Sequence, residues 1–227
     1  MGLLGPPFAA HLRGRRSGHL RARLRRRRRR PLIAVATQRG VPTQPVVHSF
    51  VPSASPEAAP EWGAARVHLV RHGDAVQRRA WDGPELLRPL TGAGERQARA
   101  LAARLCPAPG DAARPAGVLS SPASRCLETV RPTAVSAGLV VEEVEDLREG
   151  SDPMAALALL VERAGALGAG KAIVACSHGD VVYGVLDALA ASGTVLDGLR
   201  AVPKASTWEL DVVGDVVRTA RFVAPPS

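Results

Sequence analysis

Two short apolar runs, far apart in the chain, end in the same way. Val67-His68-Leu69-Val70 stops at Arg71-His72-Gly73-Asp74, and Ala172-Ile173-Val174-Ala175-Cys176 stops at Ser177-His178-Gly179-Asp180. Short, nearly continuous apolar stretches bounded by glycine and charge are the pattern of strands buried on both faces. Such strands run parallel, and the residues after their carboxyl ends fall into one crevice, where open α/β sheets place their ligands. This pair of endings therefore requires a sheet and puts chemically capable side chains on one edge of it.

The sequence between and around these runs alternates. Thr91 is placed to cap a helix that carries Ala98, Leu101, Ala102 and Leu105 and ends at Cys106-Pro107. Gly117–Ser120 reads as a short strand. Ser121 is expected to cap the next helix, with Pro122 at its first position. That helix runs to about Ala137, with a kink or break near Arg131 before Pro132. Leu139–Val144 reads as a strand, and Asp152-Pro153 opens a helix that ends in a glycine-rich stretch. A helix over Val181–Ala191 follows the second His-Gly, with Asp180 as its cap. Ser206–Val213 and Asp215–Val223 are β-rich runs around the turn Gly214-Asp215. The implied fold is α/β: a three-layer α/β/α sandwich with a mostly parallel central sheet and an antiparallel C-terminal edge hairpin. Asp74–Pro89 reads as a loop, with Trp81 either a packing anchor or a wall of the pocket.

Charge divides the 227 residues unequally. Residues 1–60 hold twelve arginines and one acid, Glu57, whereas residues 61–227 hold eighteen Lys+Arg and twenty Asp+Glu. The overall charge of +9 thus belongs to the first segment. Arg25–Arg30 is an unbroken run, and the five prolines of residues 41–60 have linker composition. Residues 1–60 are expected to be a disordered Arg-rich tail and Pro-rich linker, and residues 61–227 the folded domain. The tail has no interleaved aromatics and no nucleic-acid fold motif, so no specific nucleic-acid partner is expected. No window approaches the roughly 18 apolar residues of a membrane span. Cys106, Cys126 and Cys176 lack metal-ligand spacing and read as reduced thiols of a cytoplasmic protein.

The chemistry gathers at three strand ends. Arg71 and His72 follow the first, His178 follows the second, and Ser121-Pro122-Ala123-Ser124-Arg125 follows a third. Two guanidiniums and two imidazoles are a donor cluster suited to a phosphoryl dianion.

Arg71-His72-Gly73, the stretch Ser121-Pro122-x-x-Arg125-x-x-x-Thr129, and Ser177-His178-Gly179 together resemble the histidine phosphatase superfamily, which includes phosphoglycerate mutases. The resemblance covers about residues 64–223. The loop Trp81-x-Gly83-Pro84 and Arg88-Pro89-Leu90-Thr91 are similar to the small, SixA-like branch.

The resemblance implies that His72 is a nucleophile forming a phosphohistidine intermediate. It implies Arg71, Arg125 and His178 as phosphate ligands, and Glu149, in Leu147-Arg148-Glu149, as proton donor. Asp74 is the weaker candidate for that proton. No metal or other cofactor is implied. Only 27 residues lie between Glu149 and Ser177, too few for a long helical insertion, so the pocket is expected to be shallow and open. The expected function is metal-independent hydrolysis of phosphomonoesters, on a phosphorylated small molecule or a phosphoprotein. The alternatives are a protein phosphohistidine phosphatase and a non-catalytic phosphate-binding regulatory module.

Overall fold

The computed structural model describes residues 63–107 and 114–227. The expectations for the Arg-rich tail and linker lie outside the described residues.

Seven strands form one sheet in the order β3-β2-β4-β1-β6-β7-β5. The strands are β1 (Ala65–Arg71), β2 (Pro115–Ser120), β3 (Val141–Glu143), β4 (Ala172–Ser177), β5 (Val195–Asp197), β6 (Thr207–Val213) and β7 (Val216–Val223). β3, β2, β4 and β1 pair in parallel, as crossover connections through helices require. β6 then returns antiparallel beside β1 and forms a hairpin with β7 through Gly214, at φ +63°. The hairpin is not the outermost element, because β5 pairs in parallel with β7 and covers it. β5 has three residues, too few for a periodicity to announce it.

The side-chain alternation of β1 shows how the layers form. Val67 and Leu69 face one side with Ile173 and Ala175 of β4. There they meet α3 (Pro153–Leu167), through Ala156 and Leu160, and α4 (Gly179–Ala191), through Val182 and Val185. Val70 faces the other side with Val174 and Cys176. It packs against α1 (Gly92–Leu105), through Leu101 and Leu105, and α2 (Ser124–Ala137), through Cys126 and Val130. Each such leucine, fully buried, contributes about 1.5–3 kcal/mol relative to exposure.

The helix starts explain how the site is framed. Thr91 caps α1 by accepting from the Gly94 amide at 3.1 Å, and Asp152 caps α3 by accepting from Met154. α2 departs from expectation. It begins at Ser124 behind Ala123, which makes no side-chain cap bond, and Ser121 does not cap it. Pro132 sits inside α2 without breaking it, since buried Val130, Thr133 and Ala134 hold that turn against the sheet.

Candidate active site

The sheet register aligns the three informative strand ends. Val70 pairs with Cys176 and Cys176 with Ser120, so the residues that follow emerge side by side. The ladder continues one step beyond the strands: the His72 amide donates to the Ser177 carbonyl at 3.0 Å and the Ser121 amide to the Cys176 carbonyl at 2.9 Å.

His72 is buried at this edge. Its Nδ1 lies 2.8 Å from the Gly73 carbonyl oxygen, an acceptor that admits only a protonated Nδ1. Nε2 is therefore left with its lone pair. Burial, reinforced by His178, Arg125 and Arg71, lowers the His72 pKa from 6.5 to about 3, although the Gly73 carbonyl works the other way. The ring is neutral across the physiological range.

His178 stands beside it, ring centroids 5.4 Å apart and planes at 63°. Arg125 Nη2 donates to His178 Nδ1 at 3.3 Å. A guanidinium cannot accept, so Nδ1 carries no proton and Nε2–H donates to the Ser121 hydroxyl at 2.9 Å. Ser121 also accepts from the Ala123 amide at 3.3 Å. Its hydroxyl fixes the His178 ring instead of capping α2.

The two arginines are held differently. Arg71 donates through Nη1 to the Val202 carbonyl at 2.5 Å and lies close to Gly179, where a Cβ would come within 3.2 Å of the guanidinium carbon. Arg125 has only 2% of its side chain exposed. It donates to the Glu85 carbonyl at 3.1 Å and to Glu149 Oε2 at 2.8 Å. The Nε–H groups of Arg71 and Arg125 are both buried, with no acceptor among the described residues. Buried donors left in this way are uncommon and mark a place fitted to an anion.

Glu149 lies on the loop after β3, at the wall of a cleft of about 450 Å³ that also meets Ser121, Arg125, His178 and Asp180. Its two oxygens accept from guanidiniums, Arg125 on one side and Arg78 on the other. The loop is tied down twice. Ser177 Oγ donates to the Leu147 carbonyl, and the Gly150 amide donates to Asp180 Oδ2 at 2.7 Å. Asp180 thus anchors the Glu149 loop, whereas the sequence suggested a cap for α4. The N-cap of α4 is His178 itself, whose side chain makes no capping bond.

Asp74 is directed elsewhere. Lys204 donates to one oxygen and Thr91 to the other, both at 2.7 Å, and these bonds hold its carboxyl below the usual carboxylate range. Trp81 closes its own loop by donating to the Pro84 carbonyl at 3.0 Å.

The sequence reading gave no site role to Glu85, Arg78 or Arg88. Glu85 receives Arg88, Arg78 and Arg125 together, and the Arg88 hydrogen bonds lead in holding its carboxyl at about 2. Arg78 and Glu85 sit in short 3₁₀ turns, Arg78–Ala80 and Glu85–Leu87, and Arg88 follows the second, where no periodicity singles them out. The one available signal was the acid three residues before Arg88. Among the described residues, no group of His, Cys, Asp and Glu is arranged to hold a metal ion, and no helix is long and apolar enough to cross a membrane.

A mostly parallel α/β sheet collects two histidines and two arginines at one carboxyl edge, and known proteins share its fold. Residues 67–151 match the family model described as histidine phosphatase superfamily (branch 1). An 8-oxo-(d)GTP phosphatase of Mycolicibacterium smegmatis is 29% identical over 163 residues, which are 70% of this chain and 48% of that protein. The chain thus spans about half the length of that relative. The protein histidine phosphatase SixA, solved with tungstate, superposes with a TM-score of 0.53 at 22% identity, covering 71% of this chain and 96% of that one. A phosphoglycerate mutase from Bacillus anthracis gives 0.54 at 15% identity, covering 71% and 92%. Over residues 67–151 the chain is similar to the histidine phosphatase superfamily, and its fold is shared with these solved structures.

Proposed function

We propose that this protein is a metal-independent phosphatase that works through a phosphohistidine intermediate on His72. One observation carries the reading: the Gly73 carbonyl holds Nδ1–H, and burial keeps the ring neutral, so Nε2 presents a lone pair beside two guanidiniums. A nucleophilic histidine needs that tautomer and that protonation state.

The substrate phosphate sits against Arg71, Arg125 and His178, with Arg71 Nε and Arg125 Nε as ready donors. Nε2 attacks phosphorus, and the P–O bond to the leaving group breaks as the P–N bond forms. The fixed guanidiniums neutralise charge on the equatorial oxygens, which is the main catalytic contribution in phosphoryl transfer. The incoming phosphate takes over the Arg125 Nη2 donor that Glu149 holds, and the released Glu149 carboxylate takes the proton of the substrate's phosphate monoanion and passes it to the leaving oxygen. Water then attacks the phosphohistidine, releasing inorganic phosphate and restoring His72. Phosphatase names among the relatives support hydrolysis over phosphate transfer to a second substrate.

The test is turnover of p-nitrophenyl phosphate in excess chelator by wild type and His72→Ala. Turnover that needs His72 and ignores the chelator is expected. Turnover that survives the substitution, or that the chelator abolishes, overturns the mechanism.

A further inference from the structure

A ring of alternating charge lines the cleft. Glu149 Oε2 accepts from Arg125 Nη2 at 2.8 Å and from Arg78 Nη2 at 3.2 Å. Glu85 Oε1 bridges the same two arginines, at 3.3 Å from Arg125 Nη1 and 3.1 Å from Arg78 Nη2. The two guanidiniums are thus one shared oxygen apart, twice over.

They differ in depth and in restraint. Arg125 is buried on the cleft floor, whereas 65% of the Arg78 side chain is exposed at the rim. Arg88 is fixed by the Val76 carbonyl at 2.6 Å. Arg78, by contrast, has only the Glu85 and Glu149 carboxylates as side-chain acceptors among the described residues. It is a cation held in place by groups that an anionic ligand can replace.

We infer that Arg78 seats a second anionic group of the substrate, and that the preferred substrate is an organic diphosphate whose terminal phosphate is transferred to His72. The inference rests on the phosphatase reading above. A phosphate bound at Arg125 displaces the Glu149 oxygen, and the next group outward then meets Arg78. In a diphosphate the two phosphoryl groups share one bridging oxygen, which matches two guanidiniums that share one carboxylate oxygen. Guanidinium–phosphate pairs of this kind are strong and often bidentate.

The chemistry fits the same arrangement. His72 Nε2 forms a bond to the terminal phosphorus while the bond from that phosphorus to the bridging oxygen breaks. The electron pair leaves on that oxygen, as an organic monophosphate held by Arg78. Water then cleaves the P–N bond to give inorganic phosphate, with the proton of the water passing to the released phosphates. A departing monophosphate is a far weaker base than an alkoxide and makes little demand on Glu149, both of whose oxygens accept guanidinium hydrogen bonds.

The experiment compares kcat/KM of the full chain for ADP, AMP and p-nitrophenyl phosphate, in chelator, for wild type, Arg78→Ala and Arg78→Lys. ADP is expected to exceed AMP by at least ~10-fold in wild type, with AMP and inorganic phosphate as products. Arg78→Ala is expected to shrink the ADP/AMP ratio by about 10-fold, and Arg78→Lys to restore part of it. A wild-type ratio near one, or a ratio that Arg78→Ala leaves unmoved, overturns the inference. If p-nitrophenyl phosphate is hydrolysed in a His72-dependent way and ADP is not preferred, this inference fails and the phosphatase reading stands. If wild type hydrolyses none of the three, both fail.

Discussion

The Gly73 amide donates a 2.9 Å hydrogen bond to the hydroxyl of Thr129, joining the turn after His72 to the second turn of α2. The same hydroxyl donates to the Arg125 carbonyl at 2.6 Å. One buried side chain therefore fixes both the backbone whose carbonyl sets the His72 tautomer and the turn that carries Arg125. Thr129→Val keeps the shape and removes both bonds. It leaves a buried amide without an acceptor, at a cost of about 1–3 kcal/mol. Urea unfolding should show that loss, and kcat should fall with it. Thr129→Ser, which keeps the hydroxyl, should recover most of both. Equal stability of the Val and Ser variants would refute the coupling.

The pH dependence of stability follows from two buried histidines. The folded pKa of His72 lies near 3 and that of His68 near 4, against 6.5 in the unfolded chain, with burial the leading cause in both. Below pH 6.5 the unfolded chain binds protons at these positions and the folded chain does not. Their stabilising effect is complete above 6.5 and is lost as pH falls toward the folded values. Each contributes a slope of up to about 1.4 kcal/mol per pH unit in that window. Unfolding free energies at pH 7, 6 and 5 should fall less steeply for His72→Gln than for wild type. Identical slopes would mean that His72 is not held neutral.

Asp74 and Glu149 should respond differently to neutralisation. Asp74 is bound by Lys204 and Thr91 and shapes the start of α1, where a Cβ at Gly94 would come within 2.0 Å of the Asp74 carbonyl oxygen. Asp74→Asn should therefore act mainly on stability. Glu149→Gln should lower kcat by roughly 10²–10³ for an alkyl phosphate, whose leaving oxygen needs a proton, and far less for p-nitrophenyl phosphate. If Glu149→Gln slows both esters equally, Glu149 is not the proton donor.

How much of this was legible in the sequence depended on where each residue sits. Arg71, His72 and His178 stood out because a glycine follows an apolar run at a strand end, a signal written in consecutive residues. The helices of both layers were readable from their caps, as at Thr91 and Asp152. Ser121 misled because a serine before a proline has the local chemistry of a cap, and only the fold shows that His178 competes for its hydroxyl. Asp180 misled in the same way, its carboxylate being drawn to the Gly150 amide across the cleft. Arg78 and Glu85 were silent because their meaning lies in pairings with Glu149 and Arg125, distant in sequence and brought near only by the sheet.

Gly179 offers the sharpest test of how Arg71 is held. The position opens α4 directly after His178, and its Cα faces the Arg71 guanidinium so closely that an added Cβ would sit 3.2 Å from both the guanidinium carbon and Nε. The backbone there is helical and accepts alanine without strain, so the fold should survive the change. The guanidinium cannot retreat, because Nη1 is already pinned to the Val202 carbonyl. Gly179→Ala should therefore push Arg71 toward the cleft and misplace its Nε–H. Small misplacements of groups that orient a reacting phosphate are costly, up to about 10²-fold per ångström. The expected result is a rise in KM for p-nitrophenyl phosphate together with a fall in kcat, at a melting temperature close to wild type. A variant that melts as wild type does and keeps wild-type kinetics would show that Arg71 does not bind the phosphate.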